Sequence, residues 1–147
     1  MTPDEPGFLG LGGRLESVAA DELVAAGFAT EIADAELLHH GFGLADLAHV
    51  LELDDLGVLP PDDASALLRG VLELAAVPAG DFPYDPVFGD PWNSRERRLE
   101  AVAGPRAGWL TVGRPRREAT RVALHIATRR AVLDAHSALV ALGDAYL

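Results

Sequence analysis

The sequence predicts an all-α protein, a small helical N-terminal domain followed by one long bundle-type helix. Three observations point there. From about Glu118 to Leu147 the chain has no proline and a single glycine, Gly143, room for a helix of roughly 45 Å at 1.5 Å per residue. Within that stretch Ile126, Leu133, Val140 and Leu147 recur at seven-residue intervals, and Val132, Leu139 and Tyr146 run beside them. So broad an apolar face is the seam of a bundle or coiled coil. Upstream, apolar residues repeat at helical spacing, and no segment alternates as a half-buried strand would.

Taken in order, the first dozen residues, rich in Gly and Pro, form an extended lead-in. Residues 17–27 have helical spacing in Leu23 and Ala26, with Gly27 as the stop. A second helix runs from about Ile32 to Leu53. Leu37, Leu44, Leu47, Val50 and Leu51 keep its period, while Gly41 and Gly43 are expected to weaken or kink it. Pro60 and Pro61 open a third helix, with Asp62 and Asp63 placing negative charge at the positive end of the dipole. Leu67, Leu68, Val71, Leu72 and Ala75 form its expected buried stripe. Residues 77–92 carry four prolines and cannot continue a helix; Phe82, Tyr84, Phe88 and Trp92 anchor this loop to the body. A short helix from about Ser94 to Val102 and a glycine-containing turn lead to residues 111–118, TVGRPRRE. The expected division is therefore residues 1–110, a helical N-terminal domain, and 111–147, an arginine-rich loop with the long helix.

At 147 residues, with 49% apolar and 24% charged residues, the chain has a globular composition, and it buries about two-thirds of its unfolded surface without a metal or disulfide. There is no cysteine, which excludes a disulfide framework, a Cys-based zinc site and a thiol nucleophile. No apolar run approaches the roughly 20 residues of a membrane span, and the acidic start lacks the basic and apolar regions of a signal peptide. The expectation is a cytoplasmic protein without membrane contact. The net charge of −11 is unevenly placed. Through Asp90 there are 18 acidic residues against two arginines, and from Arg95 onward ten arginines against five acids, with no lysine anywhere. An acidic front and an arginine-rich back mark two regions, and they argue against nucleic-acid binding, which wants positive charge over a broad surface.

The chemistry-bearing residues are few. His39, His40, His49, His125 and His136 fall into no metal-ligand spacing, so no metal is expected. Asp54–Asp55 and Asp62–Asp63 sit at helix ends, where capping and solvation account for them. The GLGG at residues 10–13 lacks the flanking strand and helix of a phosphate loop, and there is no nucleophile elbow or Walker sequence. Arg114, Arg116 and Arg117 lie on the loop entering the long helix. A helix N-terminus offers free N–H groups to anions and arginine forks hold carboxylates. A carboxylate or phosphate site and a solvated basic turn tied to the acidic front are both open readings of that segment.

The stretch from Arg95 to Arg130 resembles the argininosuccinate lyase family of the fumarase/aspartase superfamily. In that family ERRL, and then a Gly-Lys-Leu-His-Thr-Gly-Arg-Ser-Arg-Asn-Asp run, lead into the first long helix of a central bundle. Glu96–Leu99 reproduces ERRL, and Gly108, Leu110, Gly113, Arg114 and Arg116 reproduce the frame of the loop. LGGRL at residues 11–15 is similar to the family's opening Gly-Gly-Arg-Phe. Ala48–His49 falls where the family has Ala-His, and LGVL at 56–59 matches the turn that follows. The matches run in order along nearly the whole chain.

The departures lie where the family's chemistry lies. The resemblance places Thr111 at the loop His, Pro115 and Arg117 at the carboxylate-binding Ser and Asn, and Glu118 at the Asp. Pro115 supplies neither hydroxyl nor N–H. The Gly-Ser near the family's substrate becomes Ala45–Asp46, and the His before ERRL becomes Trp92. The Gly-Ser-Ser loop that holds the family's catalytic serine is absent from these residues. The resemblance thus implies no catalytic residue in this chain, and no cofactor. Arg114, Arg116, Arg117, Thr111 and His49 are the candidates for binding a small carboxylate. Ile126, Leu133, Val140 and Leu147 are the candidates for association, with a second copy or with a separately encoded lyase-like chain. Three functions compete. The chain is a subunit of a split lyase-like complex, inactive alone; or a non-catalytic binding or scaffolding derivative in a specialised pathway; or an enzyme with new chemistry on the old scaffold. A neighbouring reading frame with the missing serine loop would distinguish the first from the second.

Overall fold

A computed structural model describes residues 19–115 and 117–146. Among them the chain is helical, with no strand. Helix α1 (Asp21–Leu23) passes through a π-helical turn, Val24–Phe28, into α2 (Ala29–Ala33). Gly27 therefore does not stop the first helix. Gly27 lies inside the π-helical turn, and the break comes at Asp34 instead. Helix α3 (Ala35–Asp55) and α4 (Pro61–Ala76) follow. The proline-rich segment holds two 3-10 turns, Ala79–Asp81 and Pro86–Phe88, before α5 (Pro91–Ala103). A 3-10 stretch, Gly104–Thr111, leads to α6 (Glu118–Tyr146).

Local chemistry sets most of these boundaries. Helix α3 ends where Gly57 takes φ 67°; the N–H of Val58 then reaches the Leu53 carbonyl and that of Gly57 the Asp54 carbonyl, the paired bonds of a Schellman stop. Helix α4 begins on Pro61, as expected. Helix α5 starts three residues earlier than its periodicity indicates, because Asp90 caps it. The Asp90 carboxylate accepts the Asn93 N–H at 3.0 Å, and Pro91 occupies the first turn.

Gly41 and Gly43 do not interrupt α3, which is continuous from Ala35 to Asp55. Their role is close packing. A Cβ on Gly41 would lie 2.5 Å from the Ala123 Cα of α6, and one on Gly43 would lie 3.2 Å from the Ala75 Cβ of α4. Helix α6 thereby crosses α3 nearly backbone to backbone and runs antiparallel to it. The core gathers Phe42, Val50 and Leu53 of α3, Leu67, Val71 and Leu74 of α4, and Leu99 of α5. Leu67, Leu68 and Val71 of the expected α4 stripe face the body, Ala75 stays exposed at the contact with Gly43, and Leu72 faces out. Gly70 is what Leu99 packs against, so Ala64, Leu67, Val71 and Leu74 face inward around it.

Ala119 and Ala123 of α6 belong to the same core, so that core extends past residue 110 into the long helix. From Thr128 to Tyr146 every residue of α6 is exposed. Helix α6 borders Leu37 and His40 of α3 as far as Asp134, and residues 135–146, about 18 Å of helix, extend past that contact. No helix among the described residues is long and apolar enough to cross a membrane.

Candidate functional site

At the centre of the body, three elements bring charge together where water is excluded. Asp46, on the inner side of α3, lies in the stripe Phe42–Asp46–Val50–Leu53 and is buried. Arg95 of α5 is buried beside it, its Nε and Nη2 donating to Asp46 Oδ2 at 3.4 and 3.3 Å. Arg114, on the loop before α6, donates through Nη1 to Asp46 Oδ1 at 2.8 Å. Trp92 Nε1 approaches the same oxygen at 3.5 Å. Arg114 also donates through Nε to the Glu118 carboxylate, one turn into α6. Two guanidiniums thus hold one internal carboxylate, in the manner that arginine forks hold a bound carboxylic acid.

The cluster extends toward α3's start. Arg95 lies over the rings of Phe42 and Phe82, 5.8 and 5.5 Å from their centroids. Tyr84 Oη and His39 Nδ1 share a hydrogen bond of 2.7 Å. Burial raises the Tyr84 hydroxyl above its ordinary value, and the neighbouring Arg95 works against that. His39 and His49 are both held below the ordinary imidazole value, first by burial and next by the positive charges of Arg95 and Arg114 respectively. These imidazoles stay neutral beside the guanidiniums at pH 7. Arg95 Nη1 and Arg114 Nη2 are buried without a hydrogen-bond partner among the described residues, so the cluster keeps unused donors around its single buried aspartate.

The loop candidates are dispersed around this centre. Arg114 is in it, engaged by Asp46 and Glu118. His49, half-buried one turn along α3, adjoins Arg114. Thr111 turns away and donates to the Gly108 carbonyl at 2.8 Å. Arg117 is exposed and reaches Glu31 Oε1 at 3.5 Å. Arg116 lies outside the described residues, as do Leu147 and the LGGRL segment. Of the association candidates, Ile126 is half-buried against α3, while Leu133 and Val140 are exposed. Among the described residues no group of three His, Asp or Glu side chains could hold a metal ion.

Sequence reasoning noted Asp46 and Trp92 as departures but did not join them, and it missed Arg95 as a member. The available signal was a charge on each buried stripe. Asp46 interrupts the apolar series of α3, and Arg95 lies between Trp92 and Leu99 on the inner side of α5.

The sequence is similar to curated proteins of one kind. Over 129 residues the chain is 30% identical to the argininosuccinate lyase of Desulfatibacillum aliphaticivorans, covering 84% of this chain and 28% of that protein. The argininosuccinate lyase of Symbiobacterium thermophilum is 30% identical over 116 residues, 78% of this chain and 25% of its own length. That of Chromohalobacter salexigens is 32% identical over 130 residues, with coverages of 86% and 27%. These similarities bear out the resemblance carried by the motifs. The chain spans about a quarter of the length of the curated relatives it matches. No protein-family model and no solved structure matches it.

Proposed function

We propose, from the premise that this chain is a relative of the argininosuccinate lyases over about a quarter of their length, that it is one subunit of a lyase-like complex and is not catalytic alone. The observation that supports this reading most is the projecting half of α6. Leu133, Leu139 and Val140 are 54, 67 and 51% exposed, on a helix that among the described residues is exposed from Thr128 to Tyr146. Side chains of this kind gain roughly 1.5–3 kcal/mol each when buried, which drives the helix into a bundle with further helices. Elimination from an argininosuccinate-type substrate needs a positioned base and an acid at the leaving nitrogen. In this reading those groups come from another chain.

A second reading, a non-catalytic derivative, is favoured by the Asp46 cluster. Arg95 and Arg114 are closed on an internal carboxylate with Trp92 against it, so a small carboxylate ligand of Arg114 either displaces Asp46 or Glu118 or is confined to the buried Nη2. Both readings place the protein in the cytoplasm.

One set of measurements tests them. The purified chain is expected to release no fumarate. Leu133→Asp with Val140→Asp is expected to dissociate or aggregate the complex, read as mass by light scattering. Fumarate release on adding the co-purifying chain supports the first reading, and its absence with an intact complex supports the second. Fumarate release from the chain alone, in proportion to protein, overturns both. Unchanged mass and solubility of the double variant overturn the role given to α6.

A further inference from the structure

We propose that the distal half of α6 from a second copy of this chain docks along an exposed leucine row of α3, in the trough between α4 and the first copy's own α6. The inference rests on the association reading above and names both the partner and the receiving surface. Leu37, Leu44 and Leu51 recur at seven-residue spacing along α3 and are 65, 44 and 54% exposed. They form a ridge with a depression on either side. On one side a cavity of about 280 Å³ opens where Leu37 and His40 meet Ile126, Ala127, Arg130 and Asp134 of α6. On the other a cavity of about 230 Å³ opens where Leu44 and Leu47 meet Ala75 of α4. A ridge between two grooves is the surface that the side-chain rows of another helix fill.

Helix α6 carries the matching row. Val132, Leu139 and Tyr146 have the same seven-residue spacing and are 62, 67 and 81% exposed. Both rows span two heptads, about 21 Å. Symmetry and charge select their direction. Within one chain α6 runs antiparallel to α3, with Ala123 against Gly41. A second copy's α6 laid parallel to α3 is therefore antiparallel to the first α6, which is the relation a two-fold axis produces. Each copy then gives its α6 to the other's α3, and the contact closes as a dimer; the opposite direction gives a head-to-tail contact that does not close. In the closing register Val132, Leu139 and Tyr146 of the second copy lie over Leu37, Leu44 and Leu51. Its Arg129 and Arg130, one turn earlier, come beside Asp34 and Glu36 at the start of α3. The same register sets Leu133 of one copy level with Ile126 of the other, because Ile126 already borders Leu37. It also brings Arg129 and Arg130 of the two copies level across the two-fold, and Asp34 and Glu36 of each copy offset that charge.

The absence of native cysteine makes the test direct. Leu44→Cys and Leu139→Cys are prepared as separate proteins, mixed and mildly oxidised, so that any heterodisulfide joins two chains. Cysteines bridge only when their Cα atoms approach to about 4.4–6.8 Å. The expected result is a Leu44→Cys/Leu139→Cys heterodisulfide as the main cross-linked product. Leu44→Cys mixed with Leu124→Cys stays uncross-linked, and the unmodified chain has about twice its 15.5 kDa mass by light scattering. A dimer in which residues 44 and 139 fail to cross-link overturns this docking and leaves the association reading standing. A chain that stays monomeric alone and assembles only with a separate lyase-like chain does the same. A chain that remains monomeric and binds neither overturns both.

Discussion

Asp46 joins three elements of the body through one carboxylate. It takes a hydrogen bond or ion pair from α5 through Arg95 and from the α6 entry loop through Arg114, with both guanidiniums withdrawn from water. Removing one partner of such a buried set leaves uncompensated charge and typically costs about 3–5 kcal/mol. Asp46→Ala is therefore expected to lower stability on that scale in urea denaturation. Glu31→Ala, which breaks the exposed Arg117 pair, is expected to change it by no more than about 1 kcal/mol. Equal effects from the two variants would remove Asp46 from its role as the anchor. The histidines add a pH dependence. His39 and His49 are held below their ordinary value of 6.5 in the folded chain, so the unfolded chain takes up protons first as the pH falls. Their contribution to stability is complete above pH 6.5 and declines as the pH drops through 6.5 toward the lower folded values. The urea midpoint is expected to fall between pH 7.5 and pH 5.5, and to fall less in a His39→Gln, His49→Gln variant. A variant with an undiminished slope would assign the acid sensitivity to other groups.

The elements divide into those that local chemistry specifies and those that only their packing explains. Helix α4 is announced by Pro60–Pro61 and two aspartates, and α6 by heptads free of proline, so both were legible in the sequence. Gly41 was not. Alone on a sequence it signals weakness in a helix, and its function becomes visible only when Ala123, far along the chain, is laid against it. The charged cluster was illegible for the same reason. Asp46 is separated from Arg95 by 49 residues and from Arg114 by 68, and no local spacing links them. Gly41→Ala tests the packing argument, because its Cβ would fall 2.5 Å from the Ala123 Cα. Overpacking of this kind costs about 1–3 kcal/mol, at times more, and a drop in Tm should show it. Adding Ala123→Gly is expected to recover only part of the loss, since it removes the Cβ contact at 2.9 Å and leaves the backbone contact. Full recovery would place the obstruction in the side chain instead.

At the scale of the whole molecule, one end is a packed body and the other a bare helix, and the two should differ in how their stability depends on concentration. Residues 128–146 are exposed throughout; among the described residues α6 borders Leu37 and His40 as far as Asp134, and residues 135–146 rest on helical hydrogen bonds and on continuity with the packed turns at Ala119 and Ala123. A free helical segment of about a dozen residues is marginal in water without tertiary support, and its amides should open at low free energy, whereas those of the body open near the global unfolding energy. A partner that covers the helix stabilises it by mass action. Hydrogen exchange across a dilution series is therefore expected to show two regimes. Amides within α3 and α4 should be protected at every concentration. Those of residues 135–146 should exchange rapidly in dilute solution and slow progressively as the protein is concentrated. Distal α6 amides that are as protected as α3 at the lowest concentration, and unchanged on concentrating, would mean that the helix stands without a partner; the exposed leucines would then no longer argue for one.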